Sequence, residues 1–180
     1  MTVSYDVLAH QVRELLHGES DFVANAGNFA AFVYDELPDV NWAGFYFTDA
    51  SGDLVLGPFA GKPACTRLPP RRGACGAAVT RKSTVVVDDV AAFADHIVCD
   101  SASRSEIVVP LLGQGGEPFG VFDIDSPSLR RFGEADRAGI ESLVLAFGAW
   151  AATVQAAEDL QASRSGDPSP FFPYPRHGGA

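Results

Sequence analysis

The sequence has few basic residues, and this scarcity excludes one large class of partner. Lys and Arg number 13 against 23 Asp and Glu, so the formal net charge is −10. A protein that binds a phosphate backbone needs a clustered Lys/Arg surface, because attraction between cations and phosphates supplies most of the affinity. We therefore expect no DNA or RNA partner.

Long apolar runs are also missing. The longest run, over residues 143–154, is well below the ~20 residues that span a bilayer. The first 16 residues include the charged side chains of Asp6, Arg13 and Glu14, so they lack the continuous apolar stretch of a signal peptide. We expect no membrane association and a cytoplasmic location.

Cysteines are few, and several common motifs are absent. Three cysteines, Cys65, Cys75 and Cys99, make an odd number in a chain without an export signal, which argues against a purely structural disulfide framework. No CxxC or HxxxH spacing is present, so we expect no structural zinc and no other metal. The chain also lacks GxSxG, Walker and GxGxxG motifs, which excludes the commonest hydrolase and nucleotide-binding signatures.

The residues that are present suit one globular domain. Hydrophobic residues make up 47% of the 180 residues, enough for one well-filled core but a short chain for two. From Ser163 onward, prolines and glycines crowd the sequence and oppose regular structure. We therefore assign residues 1–162 to the domain and 163–180 to a flexible tail.

Hydrophobic periodicity predicts four helices and five strands. Helices are expected over 5–17, from Ser20 as N-cap to Pro38, over 77–81 and over 134–160. Strands are expected over 41–48, 54–59, 84–87, 107–112 and 119–124. Residues 61–76 and 88–105 are interpreted as connections. This order predicts an α+β fold, with a mostly antiparallel sheet flanked by N-terminal and C-terminal helices.

Cys99 is a candidate nucleophile because of where it lies. It falls in the long connection 88–105, and a long connection inside a compact domain is often functional. His96, Asp100 and Arg104 flank it. The alternative is a buried thiol that acts only as a small hydrophobic group.

Three acidic residues form the second candidate group. Asp123 and Asp125 alternate with Phe122 and Ile124, so the two carboxylates share one face of a strand. If that strand pairs with the preceding one across residues 113–116, Glu106 joins them in one cleft. Such a trio would need a cation, for example a substrate ammonium group. The alternative is a strand end with solvated acids.

An aromatic strand forms the third candidate group. In the segment 41–47, Trp42 and Tyr46 lie on one face, and Phe45 and Phe47 lie on the other. One set packs in the core, and the other can line a pocket for an apolar or cationic group. The alternative is a strand packed on both faces.

These motifs resemble one known family. The segments that carry the resemblance are NWAGFYF (41–47), LGPFAGKPAC (56–65), GACG (73–76), HIVCDSASRSEIVVP (96–110) and GVFDIDSP (120–127). They resemble the free methionine-(R)-sulfoxide reductases, a GAF-domain family, most strongly over residues 41–125. The resemblance implies a single GAF-type domain.

The resemblance also implies residue roles. It makes Cys99 the catalytic cysteine, Cys65 its disulfide partner and Cys75 an auxiliary thiol. The implied substrate pocket consists of Trp42, Tyr46, Glu106, Asp123 and Asp125. The implied reaction converts free methionine-(R)-sulfoxide to methionine through a sulfenic acid on Cys99, and it needs no cofactor.

Further expectations concern partners and the protonation of the site. The resemblance implies a thioredoxin-like reductant and a homodimer. We expect Glu106, next to other acids, to protonate the departing oxygen. Nearby carboxylates oppose a thiolate, so Arg104, His96 or a helix N-terminus has to compensate.

Two alternative functions remain open at this stage. A GAF domain can be a non-catalytic sensor of a small molecule. A thiol-based redox sensor would form the same disulfide but ignore the sulfoxide. Neither would release methionine.

Overall fold

The architecture is a six-stranded antiparallel sheet with helices on both faces. The computed structural model describes residues 3–113 and 115–165. The strands are β1 (Trp42–Thr48), β2 (Leu54–Gly61), β3 (Arg67–Leu68), β4 (Val85–Val87), β5 (Ser105–Leu112) and β6 (Pro118–Ser126). They lie in the order β3-β2-β1-β6-β5-β4, and all neighbours are antiparallel. The predicted α+β class is confirmed.

In the part of the chain that the structure describes, four helices complete the fold. They are α1 (Tyr5–Leu16), α2 (Phe22–Glu36), α3 (Gly73–Arg81) and α4 (Glu134–Ser165), and a 3-10 turn spans Val90–Ala92. Within the described ranges, none of these helices combines the length and apolarity that crossing a bilayer requires.

The alternation along β1 and β6 separates two hydrophobic clusters. Phe45, Phe47 and Phe122 point to the face covered by α1, α2 and α4, where they join the larger cluster. Trp42 and Tyr46 point to the other face, in the smaller cluster that also contains residues of α3. The predicted division of these strands into two faces is confirmed.

The start of α2 differs by one position from the predicted N-cap. Asp21, not Ser20, caps the helix, and its side chain accepts a hydrogen bond from the Ala24 N–H at 2.7 Å. Carboxylate and hydroxyl side chains both cap helices, so the sequence did not distinguish the two neighbours.

The prediction for α3 was wrong by a full turn. The helix begins at Gly73, so Cys75 is helical and does not lie in a loop. Glycines at this point permit close packing: a Cβ on Gly76 would lie 2.7 Å from the carbonyl carbon of Arg71. The glycines that suggested a loop instead bring the helix against its own incoming chain.

Two further features of the structure, a short strand and the end of the last helix, differ from the sequence-based prediction. The two-residue strand β3, which pairs with Leu54 and Val55, was not predicted because it is too short to show a period. Helix α4 continues to Ser165, so its last three residues belong to the segment assigned to the tail. The rest of that segment, residues 166–180, lies outside the described residues.

Candidate active site

A cleft opens on the sheet face that carries α3. Its walls come from β1, β5, β6, the start of α3 and the loop before β5. Seven of the residues predicted for the site line it: Trp42, Tyr46, Cys75, Cys99, Glu106, Asp123 and Asp125. Cys65, the eighth, is joined to the cleft through its bond to Cys99.

Cys65 and Cys99 form a disulfide at this cleft. Their Cα atoms are 5.4 Å apart, although 34 positions separate them in the chain. The pairing that the family resemblance implies is therefore present. Cys75 is the free cysteine of the described chain, and it is buried.

Hydrogen bonds from β1 hold the segment around Cys65. The Tyr46 hydroxyl donates to the backbone carbonyl of Cys65 at 2.9 Å. The Trp42 indole N–H donates to the carbonyl of Lys62 at 3.1 Å. The two aromatic residues therefore both line the cleft and position one of the bonded cysteines.

The segment around Cys99 is fixed by a polar network. The Asn41 amide donates to the Ser103 hydroxyl at 3.2 Å and to Asp100 Oδ2 at 3.4 Å. Lys62 Nζ lies 3.5 Å from the same carboxylate oxygen of Asp100, which ties the two cysteine segments together.

Strand pairing brings the three predicted carboxylates together. Glu106 on β5 is the direct cross-strand partner of Asp125 on β6. Asp123 lies two residues before Asp125 on the same face of β6. One oxygen from each carboxylate lies within 4.8 Å of the other two. Glu106 and Asp123 are 5% and 6% exposed, so the trio lies at the base of the cleft, not at a solvated strand end.

Two buried carboxylate oxygens have no hydrogen-bond partner. They are Glu106 Oε1 and Asp123 Oδ1. A buried acceptor without a donor is costly, so the cleft suits a ligand that brings N–H or O–H groups.

Burial and crowding change the protonation of the trio. Burial, reinforced by the charge of Glu106, raises the pKa of Asp125 to about 7. Burial and the charge of Asp125 also raise the pKa of Asp123 well above its ordinary value. Asp125 therefore holds a proton in a large fraction of molecules near neutral pH, and the protonated form of Asp123 is favoured as well.

His96 brings a compensating positive charge. Its Nδ1 lies 3.6 Å from Glu106 Oε1, which is an ion-pair distance beyond that of a hydrogen bond. The Glu106 carboxylate raises the pKa of His96, so the ring favours its charged form. Of the two side chains suggested as compensating cations, His96 lines the cleft, and Arg104 is exposed outside its lining.

Arg72 was not predicted as a site residue, and the helix N-terminus suggested as a source of positive charge was not assigned to α3. Arg72, the N-cap of α3, lines the cleft together with Gly73 and Ala74. The first intrahelical bond of α3 is donated by Gly76, so the earlier N–H groups have no partner within the helix. These groups were not predicted because the start of α3 was expected four residues too late. The sequence signal that could have found them is the pair Arg71 and Arg72 directly before the Gly-rich start of the helix.

The fold and the position of the cleft together identify the class of domain. An antiparallel sheet with α1, α2 and α4 on one face and a cleft on the other is the arrangement of a GAF domain, and residues 26–152 match the GAF domain family. A free methionine-R-sulfoxide reductase from Escherichia coli (strain K12) is 46% identical over 143 residues, covering 79% of this chain and 86% of the relative. A relative of the same name from Saccharomyces cerevisiae is 41% identical over 135 residues, covering 72% and 75%.

Solved structures agree with these relatives. The structure of free methionine-R-sulfoxide reductase from Neisseria meningitidis in complex with its substrate aligns with a TM-score of 0.81 and 42% identity, over 85% of this chain and 91% of that chain. The chain belongs to the free methionine-R-sulfoxide reductase family.

Proposed function

We propose that this protein reduces free methionine-(R)-sulfoxide to methionine, with Cys99 as the nucleophile. The observation that carries the proposal is the Cys65–Cys99 disulfide beside a buried trio of carboxylates in one cleft. The relatives named as free methionine-R-sulfoxide reductases support it.

The proposed reaction has two steps, formation of a sulfenic acid and formation of a disulfide. The Cys99 thiolate attacks the sulfoxide sulfur, and the oxygen passes to the cysteine as a sulfenic acid while methionine leaves. The sulfoxide sulfur gains the two electrons that the Cys99 sulfur loses. The Cys65 thiol then attacks the sulfenic sulfur, which forms the disulfide and releases water.

The acidic base of the cleft suits the free amino acid. Its α-ammonium group carries a positive charge and three N–H donors, which a methionine residue within a peptide lacks. Asp123 Oδ1 has no hydrogen-bond partner, and Glu106 Oε1 has only the ion pair with His96, so both oxygens can accept hydrogen bonds from these donors. Burial raises the pKa of Asp123, and a bound ammonium group would favour its ionised form.

The opposite side of the cleft suits the α-carboxylate. Arg72 and the free N–H groups at the start of α3 supply positive charge and donors. The same N-terminal end, together with the charged form of His96, favours the Cys99 thiolate against the nearby acids.

The proton for the departing oxygen comes from Asp125 in this proposal. Glu106 is the residue that the sequence predicted for this role, but we assign the role to Asp125, whose pKa burial raises to about 7. Glu106 instead faces His96 as its ion-pair partner. An acid with a pKa near the working pH transfers its proton most effectively.

Trp42 and Tyr46 form the apolar wall for the S-methyl group. Their ring centroids are 5.8 Å apart, and both rings line the cleft. Placing the methyl group against this wall and the oxygen towards Asp125 fixes the configuration at sulfur, which accounts for selection of the R form.

Recycling completes the proposal. A thioredoxin-like dithiol reduces the Cys65–Cys99 bond by thiol–disulfide exchange, and a cytoplasmic location would supply such a reductant. A homodimer, expected from the family resemblance, remains a prediction that light scattering would check.

A chiral consumption assay tests the proposed activity. The protein, dithiothreitol and racemic free methionine sulfoxide are incubated, and both diastereomers are followed by chromatography. The proposal predicts loss of the R form alone, with an acetylated, amidated analogue left intact. Binding of the sulfoxide without release of methionine would overturn it in favour of a GAF sensor.

A further inference from the structure

We infer that Cys75 is a positioning residue whose S–H group holds the Asp123 carboxylate in place, and that it is not a redox thiol. The inference rests on the proposed function, because it assigns Asp123 to the substrate ammonium group. It gives the third cysteine a role that the reaction of Cys65 with Cys99 leaves open.

The geometry is that of a buried thiol–carboxylate hydrogen bond. Cys75 Sγ lies 3.4 Å from Asp123 Oδ2, and the contact is buried. The other carboxylate oxygen, Asp123 Oδ1, has no partner. One oxygen of Asp123 is therefore anchored by α3, and the other is left for a ligand in the cleft.

The surroundings of Cys75 oppose its use as a nucleophile. Burial and the charges of Asp123 and Glu106 raise the pKa of this thiol well above its ordinary value. The thiolate, not the thiol, attacks sulfur. The same acidic surroundings that prevent attack keep the proton in place for donation to Asp123.

The hydrogen bond affects the charge of Asp123 as well as its position. The titratable groups that influence Asp123 from the surrounding elements are Cys75, Asp125, Glu106 and Tyr46, with His96 paired to Glu106. Among these, the Cys75 S–H group favours the ionised form, because a donor stabilises a carboxylate. Removal of the donor therefore raises the pKa of Asp123 further.

A pair of matched variants separates the two roles of Cys75. Cys75→Ser keeps a donor but cannot form a disulfide, and Cys75→Ala removes both properties. With dithiothreitol as reductant, we expect Cys75→Ser to keep kcat and KM within about threefold of the wild type. We expect Cys75→Ala to raise KM about tenfold, or 1.4 kcal/mol of binding, and to move the acidic limb of kcat/KM to higher pH.

The shift of the acidic limb is the readout that packing alone would not produce. Cys75→Val fills the same space without a donor and serves if Cys75→Ala fails to fold. Equal loss of turnover in Cys75→Ser and Cys75→Ala would overturn the inference, because the loss would then not depend on the hydrogen-bond donor. A Cys75→Ala variant with unchanged KM and pH profile would overturn it too.

Disulfide mapping gives an independent check. One equivalent of substrate is added to the reduced wild-type protein, free thiols are alkylated after unfolding, and peptides are analysed by mass spectrometry. We expect alkylated Cys75 and a Cys65–Cys99 bond. A bond between Cys75 and Cys99 would overturn the inference, whereas a wild-type protein that releases no methionine would overturn the proposed function itself.

Discussion

Glu106 on β5 and Asp125 on β6 are direct cross-strand partners, and their carboxylates meet at the base of the cleft. Like charges placed opposite each other on a sheet are destabilising. The fold tolerates this pair because His96 faces Glu106 and because the raised pKa of Asp125 lets it hold a proton. The pair therefore lowers the stability of the fold, and in return it provides a carboxyl group that holds a proton in the site.

The first prediction concerns the pH dependence of stability. A carboxyl group with a raised pKa binds more protons in the folded than in the unfolded state, so stability falls as pH rises from 3.8 through about 7. Asp125→Asn cannot ionise. We expect it to be more stable than the wild type above about pH 7, at about 1.4 kcal/mol per pKa unit as an upper limit, and to gain nothing near pH 4.

Urea unfolding of both proteins at the two pH values, in the same oxidation state, measures this difference. The exposed Asp88→Asn is the control, and it should show no comparable gain. A constant difference between the variant and the wild type at the two pH values would contradict the assignment.

The sequence revealed this site because alternation decides which side chains share a face. The pattern of Phe122 and Ile124 against Asp123 and Asp125 already placed both carboxylates on one side of β6. The burial and the protonation of these carboxylates were not predictable from the sequence, because both depend on how many groups surround each oxygen in the folded protein. For this reason the sequence-based prediction gave the proton to Glu106, whereas we propose Asp125, whose pKa is raised to about 7.

The start of helix α3, by contrast, was not predicted correctly from the sequence. Two of its first four residues, Gly73 and Gly76, are glycines with low helix propensity, so the segment resembles a loop. They are helical because small residues allow the turn to pack against Arg71 and the cleft. Tertiary packing overrode local propensity, and the positive side of the site was missed with it.

The second prediction concerns the pH–rate profile. If protonated Asp125 supplies the proton, kcat declines as pH rises through about 7. Asp125→Asn should lower kcat about 100-fold and remove this limb, because a general acid contributes ~100-fold or more. Stopped-flow measurement of methionine release across the pH range tests this. If Glu106→Gln removes the limb and Asp125→Asn preserves it, Glu106 is the acid.

The third prediction concerns Arg72. Arg72→Met removes a cation from the cleft, and Arg81→Met removes one from the other end of α3 as a matched control. We expect the first to raise KM for free methionine sulfoxide about tenfold, because a charged hydrogen bond to a carboxylate is worth ~1.5–3 kcal/mol. Equal KM values for the two variants would remove Arg72 from the binding site.

The fourth prediction concerns Gly44 on β1. A Cβ at this position would lie 2.4 Å from Phe59 Cβ and 2.6 Å from Trp42 Cη2, so Gly44→Ala must displace the aromatic wall. We expect a loss of about 1–3 kcal/mol of stability and a higher KM. Gly148→Ala on α4 is the control, since the added Cβ would meet no atom within 4 Å beyond its chain neighbours and the backbone of its own helix. Thermal unfolding and steady-state kinetics measure the two effects, and equal stability and KM in Gly44→Ala and Gly148→Ala would contradict the expected clash.

The central claim assigns attack to Cys99 and disulfide formation to Cys65. Single-turnover release of methionine from prereduced protein, without added reductant, tests it most directly. We predict about one methionine per chain from Cys65→Ser, because the sulfenic acid forms but is not resolved, and none from Cys99→Ser. Release of methionine by Cys99→Ser at the wild-type level would contradict the mechanism.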